Sequence, residues 1–72
     1  MLIGKVFRVK YDDKDNSTWT KRFKVFTKAL KFAQSNCDKN RTAIIDEVMI
    51  YSKTPERVNT KWIVTNKTHF II

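Results

Sequence analysis

At Phe26 the spacing of the apolar residues changes from every second position to every third or fourth. That switch constrains the fold more than any other feature of the chain. An alternating stretch buries one face of a strand, whereas a stretch of period 3.6 buries one stripe of a helix. Before the switch, Phe7, Val9 and Tyr11 alternate with Arg8 and Lys10, which predicts a strand over 2–11. The run Asp12-Asp13-Lys14-Asp15-Asn16-Ser17 is built of turn formers. Alternation then resumes over 18–25, with Trp19, Lys21, Phe23 and Val25 on one side and Thr20, Arg22 and Lys24 on the other. The two stretches read as a hairpin closed by the acidic loop.

From Phe26 onward, Phe26, Ala29, Leu30, Ala33 and Cys37 follow a helix stripe, with Lys28, Lys31, Gln34 and Ser35 pointing away. Thr27 is the expected N-cap, and the polar residues 36–40 should end the helix. A helix of about ten residues is marginal alone and needs a sheet to lie on. Residues 42–52 hold Ile44, Ile45, Val48, Ile50 and Tyr51 and read as the longest strand. Asp46-Glu47 interrupts it, which points to a bulge, an edge, or an acid facing a basic neighbour. Pro55 marks a turn, and 58–65, with Trp62 and Val64, closes a second hairpin. The expected fold is therefore one small α+β domain over 1–72, in the order ββαββ, with one helix packed on a four-stranded antiparallel sheet. The apolar tail at 68–72, ending Phe70-Ile71-Ile72, must either dock on that core or stay exposed as a contact surface.

One helix covers one face of such a sheet, so the other should meet solvent. Charge gives that face its interest. The 72 residues carry fifteen Lys or Arg against seven Asp or Glu, a formal net charge of +8. So small a domain cannot bury the excess, which creates a positive field attractive to phosphates, anionic lipids or acidic protein faces. The excess is concentrated: Lys5, Arg8, Lys10, Lys14, Lys21, Arg22, Lys24, Lys28 and Lys31 lie in the first 31 residues, opposed only by Asp12, Asp13 and Asp15. An open, basic sheet face is the expected working surface.

Catalytic chemistry finds little support. Cys37 lies on the apolar stripe, as a core thiol would, and His69 is the single histidine. One Cys and one His do not make a zinc site, and one glycine cannot build a phosphate loop. Asp12, Asp13 and Asp15 resemble the start of a calcium loop, but neither its glycine nor its closing glutamate follows, so a solvated turn is expected. Asp46 and Glu47 are adjacent on a strand and point to opposite faces, which argues against an acid/base pair. No enzyme, cofactor or metal is expected. The lone cysteine and the absence of a long apolar segment fit a cytoplasmic protein without a membrane partner.

Two features survive. Lys21-Arg22-Phe23-Lys24, flanked by Trp19, interleaves cations with aromatics, as surfaces that stack bases and meet phosphates do. Taken alone, Trp19 and Phe23 are expected in the core. Lys28 and Lys31 stand in the first turn of the helix, where the macrodipole disfavours cations and favours anions.

The segment Trp19-Thr20-Lys21-Arg22-Phe23-Lys24-Val25-Phe26-Thr27-Lys28-Ala29-Leu30-Lys31-Phe32-Ala33 resembles small uncharacterised accessory proteins of tailed bacteriophages. There a basic, aromatic strand feeds into a helix containing Ala-Leu-x-Phe-Ala, and a second hairpin follows. The likeness covers about a fifth of the chain. It implies an accessory role in infection, such as blocking a host defence protein or redirecting a host machine, and it assigns no functional residue.

Two functions are expected from these readings. The first is non-enzymatic binding of the nucleic-acid backbone, with Arg8, Lys10, Lys21, Arg22, Lys24, Lys28 and Lys31 on phosphates and Trp19 beside them. The second is a protein-interaction module, an inhibitor or antitoxin-like factor, that meets an acidic protein surface or a second copy of itself through a strand edge or the C-terminal tail.

Overall fold

The computed structural model describes residues 1–13, 15, 17–37 and 41–72. Lys14 and Asn16 of the expected acidic loop, and Asp38, Lys39 and Asn40 of the expected helix end, lie outside the described residues. In chain order the elements are β1 (Leu2–Asp12), β2 (Thr18–Phe23), α1 (Phe26–Ser35), β3 (Ala43–Tyr51), β4 (Arg57–Val64) and β5 (His69–Ile71). The five strands form one antiparallel sheet in the order β2-β1-β3-β4-β5. The helix packs on an antiparallel sheet as expected, but that sheet has five strands rather than four.

The added strand comes from the apolar tail. The Thr65 N–H donates to the Thr68 carbonyl at 2.8 Å, and Thr65 Oγ1 accepts the N–H groups of Lys67 and Thr68. This tight turn reverses the chain and pairs His69, Phe70 and Ile71 with Val64, Ile63 and Trp62. The tail docks through its backbone, while Phe70, Ile71 and Ile72 keep exposed side chains. The third strand is also not the longest, since β1 has eleven residues and β3 has nine.

Strand alternation decides which face meets the helix. Phe7, Val9 and Tyr11 point toward α1, as do their cross-strand partners Phe23, Lys21 and Trp19 on β2 and Ile45 on β3. Val9, Ala29, Ala33, Ala43, Ile45 and Val64 form the buried centre. The two alanines let the helix approach closely, and an aromatic side chain closes each flank. On one side the Phe32 ring lies 5.2 Å from both Tyr11 and Phe23. On the other, the Phe26 ring lies 4.6 Å from Trp62 and 5.5 Å from Phe7. Such pairs each add about 0.5–1.5 kcal/mol beyond their buried area. Cys37 packs half-buried against this cluster, its thiol donating to the Val64 carbonyl at 3.5 Å.

Helix α1 begins earlier than Thr27. Val25 is the N-cap residue, extended at φ −119° and ψ 129°, and makes no side-chain cap hydrogen bond. The Ala29 N–H donates to the Val25 carbonyl, which places Thr27 inside the first turn and corrects the expected cap. The C-terminal end is better satisfied. The Asn36 side-chain amide donates to the Phe32 carbonyl at 2.8 Å, and the Ser35 hydroxyl to the Lys31 carbonyl at 2.8 Å.

Candidate nucleic-acid interface

On the face away from α1, the β1–β2 register sets Arg8 directly opposite Arg22. Like charges at such a position repel and destabilise a sheet. Each arginine here is answered by a carboxylate. Arg8 donates from Nε at 3.0 Å and Nη2 at 2.8 Å to Oδ2 of Asp46, its partner on β3. Thr60 donates its hydroxyl to the other oxygen of Asp46 at 2.8 Å. Asp46 is only 2% exposed, so these three hydrogen bonds replace most of its water.

A β-bulge makes that arrangement possible. The β3–β4 register slips between Ile45 and Asp46, so Thr60 stands opposite Asp46 where Lys61 otherwise would. Lys61 instead reaches Glu47 at 3.3 Å, and Lys5 approaches the same carboxylate at 3.8 Å. Of the three readings of Asp46-Glu47, the bulge and the basic partner are both realised. The edge is not, because β3 is the central strand.

Arg22 is held differently. Its two terminal nitrogens donate in parallel to Glu56, Nη1 to Oε1 at 2.7 Å and Nη2 to Oε2 at 2.9 Å. Glu56 lies in the β3–β4 connection and Arg22 on the edge strand, so the pair bridges over β1 and β3. These hydrogen bonds lower the Glu56 carboxyl below its ordinary range and raise the Arg22 guanidinium above its own. Val48 is fully buried on this same face, between Val6 and Val58 in register. The expectation of an open, basic sheet face is thereby corrected. Its centre is a small apolar and ion-paired layer, because Asp46 and Glu56 arrive from distant segments to neutralise both arginines. Lys10, between Thr20 and Ile44 in register, stays exposed there and enters no ion pair among the described residues.

The remaining candidates gather elsewhere, along the edge made by β2 and α1. Lys21 points to the helix side, its ammonium 5.1 Å from the Phe32 ring centre and 5.7 Å from that of Phe23. Lys28 precedes Phe32 by one helical turn and so shares the flank that faces β2. Lys31 lies on the solvent side of α1, and Lys24 in the short link between β2 and α1. Lys24, Lys28 and Lys31 are exposed and make no ion pair among the described residues, and no acidic residue occupies the first turn of α1.

Trp19 stands at the far end of β2 and is 54% exposed, which overturns its expected place in the core. It lies on the helix side, but on an edge strand beyond the cover that α1 provides. Its indole N–H donates to Asp13 Oδ2 at 2.6 Å, leaving the ring face to solvent. Asp13 also accepts the N–H groups of Asp15 and Ser17 through Oδ1, and these bonds, that from Trp19 foremost, lower its carboxyl from the ordinary value. Phe23 packs against the core, as expected.

The eight candidate residues thus fall into two groups. Arg8, Lys10 and Arg22 share the face away from the helix, and Trp19, Lys21, Lys24, Lys28 and Lys31 line the β2–α1 edge. Sequence reasoning offered Asp46 only as an acid facing an unspecified basic neighbour and missed Glu56, the two partners that divide them. The interruption at Asp46-Glu47 signalled the first, while nothing local to Glu56 signals the second. Among the described residues no three His, Cys, Asp or Glu side chains cluster as metal ligands, and no helix is long and apolar enough to cross a membrane.

No protein-family model matches the chain, and neither curated proteins nor solved structures give a match to it.

Proposed function

We propose that this protein is a small, non-enzymatic binder of the nucleic-acid backbone, acting through the β2–α1 edge. The observation that carries this reading is the group of exposed lysines without carboxylate partners among the described residues, Lys24, Lys28 and Lys31, with Lys21 and the open ring of Trp19 further along β2. Unpaired ammonium groups exchange counterions for phosphates at little cost, and a half-exposed indole offers a base a stacking surface. Helix α1 adds its uncapped N-terminus to the same positive region. Binding of this kind tolerates many sequences and prefers single strands, whose bases are free to stack. With the likeness at 19–33, the reading extends to a phage-type accessory factor in the host cytoplasm.

The test is a fluorescence-anisotropy titration of a labelled mixed-sequence single-stranded oligonucleotide, as DNA and as RNA, across a series of salt concentrations. Four lysine contacts predict a log K against log salt slope of about −3. Absence of binding at low salt would overturn the proposal.

A second reading is favoured by β5. This edge strand carries Phe70 and Ile71, with Ile72 just beyond it, the two isoleucines 79% and 67% exposed, next to backbone groups available for strand addition. On that reading the protein docks on an acidic host protein, or on its own copy, as an inhibitor or antitoxin-like factor. Recovery of a stoichiometric protein from nuclease-treated host lysate supports it, and loss of that recovery on truncation after Thr68 would assign the contact to β5.

A further inference from the structure

We propose that Arg22, with Arg8 beside it, is a latent anion site that Glu56 closes and a phosphodiester opens. The inference takes its ligand class from the nucleic-acid reading above. Arg8 and Arg22 lie directly opposite one another in register, where two like charges repel unless anions answer them. Two carboxylates do so, and they are not equivalent.

Asp46 is buried, central in the sheet and tied to both Arg8 and Thr60. Nothing in solution replaces it without leaving a buried charge unpaired. Glu56 has a 39% exposed side chain, sits in the β3–β4 connection, and among the described residues makes hydrogen bonds to Arg22 alone. An exposed ion pair of this type is weak and screened by salt. The planar fork of Arg22, which now grips two carboxylate oxygens, matches two phosphate oxygens equally well. Arg8 also acts electrostatically on Glu56, so an anion seated at Arg22 feels both guanidinium groups. Glu56 therefore occupies the position of the ligand it resembles.

Arg22 is on the same six-residue edge strand as Lys21 and Trp19, but its side chain lies on the opposite face. A strand of nucleic acid bound along the β2–α1 edge reaches Arg22 by wrapping over β2. In doing so it displaces Glu56 and gains one contact. The contact exists only when a phosphate competes, which sharpens the preference for polyanions over isolated charges.

The experiment has two arms, each comparing the full chain with Glu56→Ala and with Glu56→Ala/Arg22→Ala. Asp15→Asn, which adds the same unit of charge in the β1–β2 loop, controls for net charge. In the first arm, inorganic phosphate is titrated while the Arg22 Nε–H resonance is followed by NMR. Glu56→Ala should bind about fivefold more tightly than the full chain, and in the double variant, followed at the Arg8 Nε–H instead, phosphate should cause no comparable shift. In the second arm, the single-stranded oligonucleotide is titrated against salt. Glu56→Ala should tighten oligonucleotide binding about fivefold with the slope nearly unchanged, because the Arg22 contact forms in both chains, and Asp15→Asn should not tighten it. Equal phosphate affinity in the full chain and Glu56→Ala, or no shift at Arg22 in either, would overturn the latent site. A phosphate response at Arg22 without oligonucleotide binding would support the site and overturn the nucleic-acid reading. Oligonucleotide binding indifferent to Glu56 would do the reverse.

Discussion

Arg8 and Arg22 belong to the same hairpin that leads to Lys24, Lys28 and Lys31, and all five carry one positive charge, yet the fold uses them differently. Each arginine holds a carboxylate in good geometry, one buried and one exposed. The three lysines hold none among the described residues. A formal charge of +8 conceals this division. Charge that is hydrogen-bonded inside the fold stabilises the sheet and adds little to the outer field, whereas unpaired charge projects into solvent. The lesson is that the count of cations locates a partner less well than the count of those without an acid.

The comparison breaks most visibly on the arginine side. Asp46→Ala strips Arg8 of its partner in a half-buried setting and should cost about 3 kcal/mol of stability, measured by urea denaturation. Arg8→Ala should cost a similar amount, and the double variant less than the sum of the two. A smaller effect comes from Trp19→Ala. It should weaken oligonucleotide binding by about 1 kcal/mol through lost stacking, while the urea midpoint barely moves because the ring is half exposed.

Lys28→Glu sharpens the comparison from the other direction. An acid in the uncapped first turn should raise stability by about 0.5 kcal/mol while weakening oligonucleotide binding. The smallest effect concerns pH. Glu56 has its folded carboxyl lowered by Arg22, so its contribution is present above the ordinary value of 4.5 and is lost as pH falls through the lowered folded value. Acid titration of stability should lose that component in Glu56→Gln.

Much of the fold is legible because each long element repeats its period several times. Phe7, Val9 and Tyr11 declare one face of β1, and Phe26, Ala29, Leu30 and Ala33 declare the buried stripe of α1. Strand β5 is illegible for the same reason, since three residues leave no room for a period and Phe70-Ile71-Ile72 reads as a plain apolar tail. The start of α1 is missed because Val25 has no capping side chain to announce it. At the site, alternation correctly groups Trp19, Lys21 and Phe23 on one side of β2. It does not reveal that Trp19 lies beyond the helix. Nor does it reveal which arginines are neutralised, because Asp46 and Glu56 meet Arg8 and Arg22 across 38 and 34 residues of chain.

The division of charge is tested most directly by the salt dependence of oligonucleotide binding in Lys24→Ala/Lys28→Ala/Lys31→Ala beside the unaltered chain. Removing three unpaired contacts should flatten the log K against log salt slope by about 2, with the urea midpoint nearly unchanged. An unchanged slope in a folded triple variant would contradict the account and return the phosphate contacts to the arginine face.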